Sequence, residues 1–416
     1  MAMASVTITN ARILTLAGEP APRRGPAMRH LGVIESGFVE IDSGRIRAVS
    51  AGPPPRTAKG QVIDAGGRVL MPAFIDCHTH ACWAGDRFDE YQMKLAGTSY
   101  LQILSAGGGI MATVRAVRAA EEEQLTENLL QRLDRMAALG TGTVEVKSGY
   151  GLTTSDELKM LRAIHAASRQ TPVRVVATFL GAHAIDPDNP RFLDQTVDET
   201  LPAVAGEFPR IPCDAYCEKG AWSVADTRRL LEAAAELGCP LRVHADQFNS
   251  LGMTPVAVDL GARSVDHLEA TTPRDLEYLA ASDTIGVALP ACGFHLDGRY
   301  APGRTFIDAG GALAIGTDYN PGSAPCPSMP FVVALACRHL GLTPEEAITA
   351  ATINAACVLA LTDEVGSIEV GKSADLQLLH GRDERELAYE FATAGPAQVL
   401  IGPTPLHRGR RDASSS

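Results

Sequence analysis

The sequence predicts an α/β protein, a parallel (β/α)8 or TIM barrel carrying a small composite β-sandwich formed by both chain termini. Three observations predict it. From Pro72 to Leu361 short apolar stretches alternate with helical ones, giving eight candidate strands. Before and after that region the chain alternates apolar and polar residues, as half-buried strands do. Several of the eight central strands end in His or Asp, where a barrel of this kind gathers its chemistry.

The elements follow in order. Val6–Leu16 and Gly37–Val49 alternate, and Asp42-Ser43-Gly44 marks a hairpin turn in the second. Glu19–Leu31, rich in Pro and Arg, reads as a loop, and Gln61–Leu70 adds a short strand around Gly66-Gly67. Residues 1–71 are too few strands to bury much alone, and Gly366–Leu379 returns to β, so 1–71 and 362–416 are expected to share one domain around a barrel at 72–361. The barrel strands are expected at Ala73–Cys77, Gly142–Lys147, Val173–Phe179, Asp214–Cys217, Leu241–Val243, Ser264–Asp266, Ile285–Leu289 and Ala312–Ile315. Helices are expected at Gln124–Ala138, Asp156–Arg169, Ala225–Leu237 and Pro273–Ala281. Thr154 with Glu157 reads as a capping box, and Thr343-Pro344-Glu345-Glu346 places proline at the first helical position. An open doubly wound sheet is the alternative architecture. Gly107-Gly108-Gly109 lacks the strand and the Lys-Ser/Thr sequel of a nucleotide loop, and reads as a flexible loop near the site. The polar tail Arg408–Ser416 is expected to be irregular.

Composition narrows the classes. A hydrophobic content of 45% with 21% charged residues is that of a globular protein. Lys+Arg 37 against Asp+Glu 49 gives −12, which argues against nucleic acid as a partner. Nine scattered cysteines without zinc-ribbon spacing read as reduced thiols. No stretch reads as a membrane span or leader, and a cytoplasmic location is expected.

The strand ends carry the chemistry. Phe74-Ile75-Asp76-Cys77-His78-Thr79-His80 ends an apolar run in His-x-His, and residues two apart on a strand share a face. Alone, that signal is weak. The third strand runs into His183, the fourth into Glu218-Lys219, the fifth into His244-Ala245-Asp246-Gln247, the sixth into His267 and the eighth into Asp318. Five of eleven histidines fall at these ends, while His30, His165, His339, His380 and His407 read as structural and His295 is undecided. Each residue has a plainer reading: a core histidine, a helix-capping Asp318, a surface Arg87, a Tyr150 covering the barrel mouth. Independent accidents explain poorly why ligand-type residues recur at strands one, five, six and eight.

This pattern resembles the amidohydrolase superfamily, and within it the imidazolonepropionase family. The resemblance is carried by His78-Thr79-His80 to Gly85-Asp86-Arg87, Glu145-Val146-Lys147-Ser148-Gly149-Tyr150-Gly151-Leu152, Phe179–His183 and Gly316–Ser323, and covers nearly the whole chain. It implies His78, His80, His244 and Asp318 as ligands of one metal ion, Zn2+ or Fe3+. It further implies that Arg87, Tyr150, His183, Gln247, Asn320, Gly322 and Ser323 contact the substrate, 4-imidazolone-5-propanoate, and that the chain forms a homodimer. Cys82-Trp83 and Ala291–His295 depart from the family's pattern and bear on a pocket wall; neither removes a ligand. With four ligands assigned, His267 is expected to serve as catalyst beside Asp318, not as a fifth ligand. Arg87 offers a fork suited to the propanoate. Glu218-Lys219 raises a second metal, but a single one is favoured. The rivals are an aminohydrolase acting on a purine or pyrimidine ring and a non-catalytic barrel relative.

Overall fold

Eight parallel strands form one sheet in sequence order: Phe74–Asp76, Thr141–Lys147, Arg174–Ala182, Cys213–Cys217, Arg242–Ala245, Ser264–His267, Ile285–Ala288 and Leu313–Ile315. The computed structural model describes residues 5–55, 60–98, 102, 107–392, 395–402 and 404–408. The sheet closes through residues just past its first and last strands. Thr79 bridges Tyr319, the Asp318 amide donates to the His78 carbonyl at 3.0 Å, and the His80 amide donates to the Tyr319 carbonyl at 3.0 Å. The seam of the barrel is therefore stitched by the residues expected to bind metal.

The strands match the sequence reading to within a few residues. The fifth extends to Ala245 and the sixth to His267, so His244 and His267 are strand residues whose direction is fixed by the ladder. The third runs to Ala182, three residues beyond expectation. Helix Glu122–Ala138 buries Leu125, Leu129, Leu133 and Met136, spaced to form one stripe against the barrel. Full burial of each leucine is worth about 1.5–3 kcal/mol, which tertiary packing and not propensity supplies.

Two caps differ in outcome. Thr343 and Glu346 form the expected capping box, with Pro344 in the first turn. At helix Thr154–Ser168 the cap is Thr153, which accepts from the Asp156 amide, and not Thr154. Glu157 turns inward instead of completing a box. Its carboxylate accepts from the amides of Gly149, Gly151 and Leu152 at 2.9, 2.8 and 2.9 Å. Three orphan donors in a tight loop attract a carboxylate more strongly than one helix terminus does.

Strands from both termini share a second sheet. Val6–Leu14, Val33–Asp42, Arg45–Ala51, Gln61–Asp64 and Val69–Pro72 come from the start, and Leu376–Leu378, Gln398–Ile401 and Thr404–Arg408 from the end. Val69–Pro72 is the hinge of this arrangement, parallel to Val6–Leu14 on one side and antiparallel to Leu376–Leu378 on the other. Ile8, Ile13, Val39, Ile41, Leu70 and Leu376 pack into its own core. The hairpin at Ser43-Gly44 has positive φ at both positions, 55° and 73°, as a two-residue turn with strand-matching twist requires. The segment read as a loop, Glu19–Leu31, contains a short 3-10 turn, Gly25–Arg29. Arg408 ends the last strand, and 409–416 of the expected tail lie outside the described residues.

Candidate metal centre and substrate pocket

Three imidazoles converge at the C-terminal mouth of the barrel. His80 Nε2 lies 3.3 Å from His244 Nε2, and Asp318 Oδ1 lies 3.4 Å from His80 Nε2 and 3.7 Å from His78 Nε2. The histidines are buried, with donor atoms mutually within 4.8 Å. Tetrahedral Zn–N bonds of about 2.0–2.1 Å place ligand atoms roughly 3.3–3.4 Å apart, so the spacing fits an ion. The tautomers fit too. His78 Nδ1 meets Asp266 Oδ2 at 2.6 Å and His244 Nδ1 meets Asp214 Oδ1 at 3.0 Å, so both Nε2 atoms carry lone pairs. Among the described residues His78 Nε2 has no hydrogen-bond partner, an orphan that an ion explains. Burial first, then neighbouring cations and imidazoles, pushes His78 and His80 well below the usual histidine range, which keeps them neutral as ligands must be.

The supporting carboxylates are held by a buried ionic lattice. Lys147 Nζ bonds Asp214 Oδ2 at 2.8 Å and Glu145 Oε1 at 2.6 Å. Arg242 bonds Glu145 Oε1 at 3.0 Å, Ser264 Oγ at 3.0 Å and Asp266 Oδ2. Glu145 Oε2 also accepts from the Thr79 amide at 3.1 Å, between the two first-strand histidines. Side chains of Glu145, Lys147, Asp214, Arg242 and Asp266 are 0–2% exposed. Sequence reasoning assigned these five no role. The available signal was charged or polar residues two apart inside apolar strands, Glu145/Lys147, Arg242/His244 and Ser264/Asp266, which point to the barrel interior.

The other expected residues divide. Asp318 sits at φ +56° and His267 at φ +90°, conformations that cost energy in residues with a Cβ. His267 lies beside the centre, its ring 5.4 Å from His244 and 5.8 Å from His78, with Nδ1 3.4 Å from Glu269. Burial works against its charged form, but Glu269 and then Asp318 outweigh it and raise the imidazole above its usual value. Burial raises Asp318, against the pull of His267 and His244. His183 stacks on His80 at 4.7 Å, with Tyr150 5.1 Å from His183. Gln247 accepts from the Tyr216 hydroxyl at 2.8 Å and donates to Cys292 Sγ at 3.3 Å.

Asn320 and Ser323 are spent largely within their own loop. Asn320 Oδ1 accepts from the amides of Gly322 and Ser323, and its Nδ2 donates to the Asp318 carbonyl at 2.6 Å. Ser323 Oγ donates to Asp318 Oδ2 at 3.3 Å, so the loop steadies the carboxylate. Arg87 is not an open fork. Nε donates to Glu90 Oε2 at 2.6 Å, Nη2 pairs with the same carboxylate, and Nη1 reaches Thr113 Oγ1 at 3.3 Å. Gly322 faces Nη1, and a Cβ there would stand 3.4 Å from it, in ordinary contact. A cavity of about 550 Å³ opens beside Arg87, lined also by Trp83, Tyr91, Arg132, His295 and Gly322. Arg132 packs over Trp83 at 3.4 Å and donates to the Ala81 and Trp83 carbonyls, so the departure at Trp83 forms a pocket wall.

Gly107–Gly109 leads into helix Ile110–Ala119, with the Gly109 amide on Glu90 Oε2 at 2.9 Å. Glu218 is fully engaged by the amides of Lys219, Phe248 and Asn249 and the Asn249 side chain. It pins the loop after the fifth strand and is not among the described metal-type clusters. No described helix is long and apolar enough to cross a membrane.

The comparisons agree with this geometry. The Amidohydrolase family profile matches residues 93–400. The chain is 46% identical over 415 residues to the imidazolonepropionase of Herpetosiphon aurantiacus, covering 96% of each chain. It is 45% identical over 405 residues to that of Symbiobacterium thermophilum, covering 93% of each. A 5-methylcytosine deaminase from Klebsiella pneumoniae superposes with a TM-score of 0.75 over 99% of both chains at 15% identity, a likeness of fold alone. The chain belongs to the imidazolonepropionase family of the amidohydrolases.

Proposed function

We propose that the chain hydrolyses the ring C–N bond of 4-imidazolone-5-propanoate, giving N-formimidoyl-L-glutamate in histidine degradation. The observation that carries this reading is the convergence of His78, His80, His244 and Asp318 at one barrel mouth in a chain 46% identical to a named imidazolonepropionase. These four residues would hold one ion, Zn2+ or Fe3+, since imidazole and carboxylate suit both. Such an ion lowers the pKa of a bound water toward about 7 and polarises a carbonyl.

The chain's own groups do the rest. Asp318 faces the ligand cluster through Oδ1 and is steadied at Oδ2 by Ser323, so it accepts a proton from the attacking water. His267, with Nδ1 turned to Glu269, keeps Nε2 free to exchange a proton with the leaving ring nitrogen. Arg87, oriented by Glu90, supplies positive charge for the propanoate from the cavity side. Tyr150, His183 and Gln247 line the ring's side, and Asn320, Gly322 and Ser323 shape the loop that closes it. The unit made of 1–71 and 362–416 buttresses the barrel, because Val69–Pro72 leads directly into the first metal strand. The active form is a cytoplasmic homodimer.

The test is metal-loaded protein supplied with 4-imidazolone-5-propanoate, with guanine as control. Ring opening that stops on chelation and returns on metal addition is expected. Turnover in demonstrably metal-free protein, or deamination of guanine in its place, defeats the reading.

A further inference from the structure

We propose that His267, Glu269 and Cys292 form a second, separate cation site for a borderline or soft divalent ion such as Zn2+ or Cd2+, whose occupation inhibits the enzyme. The inhibitory half rests on the role given to His267 above; the site itself does not.

The three residues offer imidazole nitrogen, carboxylate oxygen and thiol sulfur, all within 4.8 Å of one another. His267 and Cys292 are each 2% exposed, and the Glu269 side chain is 5% exposed. His267 Nδ1 stands 3.4 Å from both Glu269 oxygens, yet among the described residues Oε2 makes no hydrogen bond, so a buried carboxylate oxygen is held by that ion pair alone. Cys292 Sγ receives only Gln247 Nε2 at 3.3 Å. The mixed nitrogen, oxygen and sulfur set suits zinc and its softer relatives better than magnesium or calcium. Tetrahedral bonds of about 2.0–2.3 Å separate such donors by roughly 3.3–3.6 Å. The His267–Glu269 distance already meets that, and the sulfur, within 4.8 Å of both partners, needs a shift of at most roughly 1.5 Å, within reach of a χ1 adjustment.

The site is distinct from the catalytic centre. That centre is formed by Nε2 atoms of His78, His80 and His244 facing Asp318, whereas the second site uses His267 Nδ1, the nitrogen turned to Glu269. Burial holds the Cys292 thiol well above its usual value, so the free enzyme carries the protonated form. Binding therefore clears two donor atoms of protons: the S–H bond breaks as a sulfur–metal bond forms and that proton leaves to solvent, while the Nδ1 proton of His267 passes to Nε2 in the neutral ring or to solvent from the charged one. Once Nδ1 is a ligand, neutral His267 carries its hydrogen on Nε2. With Nδ1 held by the ion the ring can neither take up a further proton at Nε2 nor give up the one there without becoming an imidazolate, so proton exchange with the leaving nitrogen stops and turnover falls.

The experiment titrates Cd2+ into enzyme already loaded with one equivalent of zinc, following the ultraviolet sulfur-to-cadmium charge-transfer absorption alongside turnover. Cadmium exchanged into the three-histidine centre meets no thiol and gives no such band. One further equivalent with the band is expected in the parent protein. The band should vanish in Cys292→Ser, and Glu269→Gln should bind at least about 10-fold more weakly. Inhibition of Cys292→Ser, relative to its own cadmium-free rate, should need about 10-fold more Cd2+. Circular dichroism and zinc content establish that the variants are folded. No band in the parent, or an unchanged band in Cys292→Ser, overturns the site. A band without inhibition leaves the site standing and refutes the role assigned to His267.

Discussion

The carboxylate behind His78 provides the sharpest quantitative expectation. Asp266 Oδ2 is 2.6 Å from His78 Nδ1, and both side chains are fully buried. Asp266→Asn keeps the shape but replaces a charged acceptor with a neutral one. Hydrogen bonds to charged groups are worth about 1.5–3 kcal/mol against roughly 0.5–1.5 for neutral ones, so about 1–2 kcal/mol of ligand orientation is lost. If the amide presents its NH2 group instead, Nδ1 must accept and Nε2 must carry the hydrogen, which removes His78 as a ligand altogether. Arg242 also loses one of its two carboxylates and is left with Glu145. Metal affinity should therefore fall about 10–100-fold, the range seen when outer-shell partners of metal histidines are removed. Competition against a chelator of known affinity measures this directly, with circular dichroism to establish that the apo variant is folded. A folded Asp266→Asn protein whose metal affinity lies within about 3-fold of the parent would refute the view that this carboxylate sets the ligand.

Further expectations concern separate parts of the molecule. His267→Asn should retain metal while turnover drops about 10²–10⁴-fold, whereas His244→Asn should lose metal and activity together; metal analysis and turnover on both variants decide, and a metal-free His267→Asn would make His267 a ligand. Arg87→Ala should weaken substrate binding by about 1.5–3 kcal/mol with metal content intact, read as a rise in KM; unchanged kinetics would return Arg87 to anchoring Glu90. Arg12 grips Glu384 through Nε and Nη2 at 2.8 and 2.9 Å, tying the first strand to the C-terminal segment. Glu384→Gln should cost about 1–2 kcal/mol near neutral pH in denaturant unfolding. Its hydrogen bonds from Arg12 hold the Glu384 carboxyl below its ordinary 4.5. The stabilisation is thus complete above about pH 4.5 and is lost as pH falls through the lowered folded-state value. A parent–variant difference that persisted undiminished in strong acid would contradict that cause.

Much of this architecture was legible because period and punctuation are local. Phe74–Ile75 and Ile285–Ala288 are short apolar runs, and the helices after the first, second, fourth and sixth barrel strands are ones that sequence alone flags. Ends were harder. The third strand outran its expected limit through Gly181-Ala182, a pair with little strand propensity, because neighbouring strands supply its partners. The cap at Thr153 was misread for a similar reason. Thr153 and Thr154 are equivalent as local signals, and what separates them is that Glu157 is claimed by the Gly149–Leu152 loop, a contact outside the helix.

The candidate site shows the same division more sharply. His78, His80, His183, His244, His267 and Asp318 stood out through residue type at strand ends, and it is the family resemblance that selects His78, His80, His244 and Asp318 among them as expected ligands. The lattice behind them did not, because Lys147 and Arg242 are ordinary surface residues in composition and become something else only when the barrel closes. Once Glu145 sits between Lys147 and Arg242, neither cation can be removed without leaving a carboxylate unpaired in the interior. The carboxylates Asp214 and Asp266, bound to Lys147 and Arg242, face two different histidines of the candidate metal centre from two different strands. His78 and His244, whose ring centres lie 4.4 Å apart, are therefore coupled through a chain of buried charges as well as through direct contact. A substitution at Glu145, which touches neither imidazole, should disturb both, a consequence that follows only from the closed barrel and that no inspection of single strands would reach.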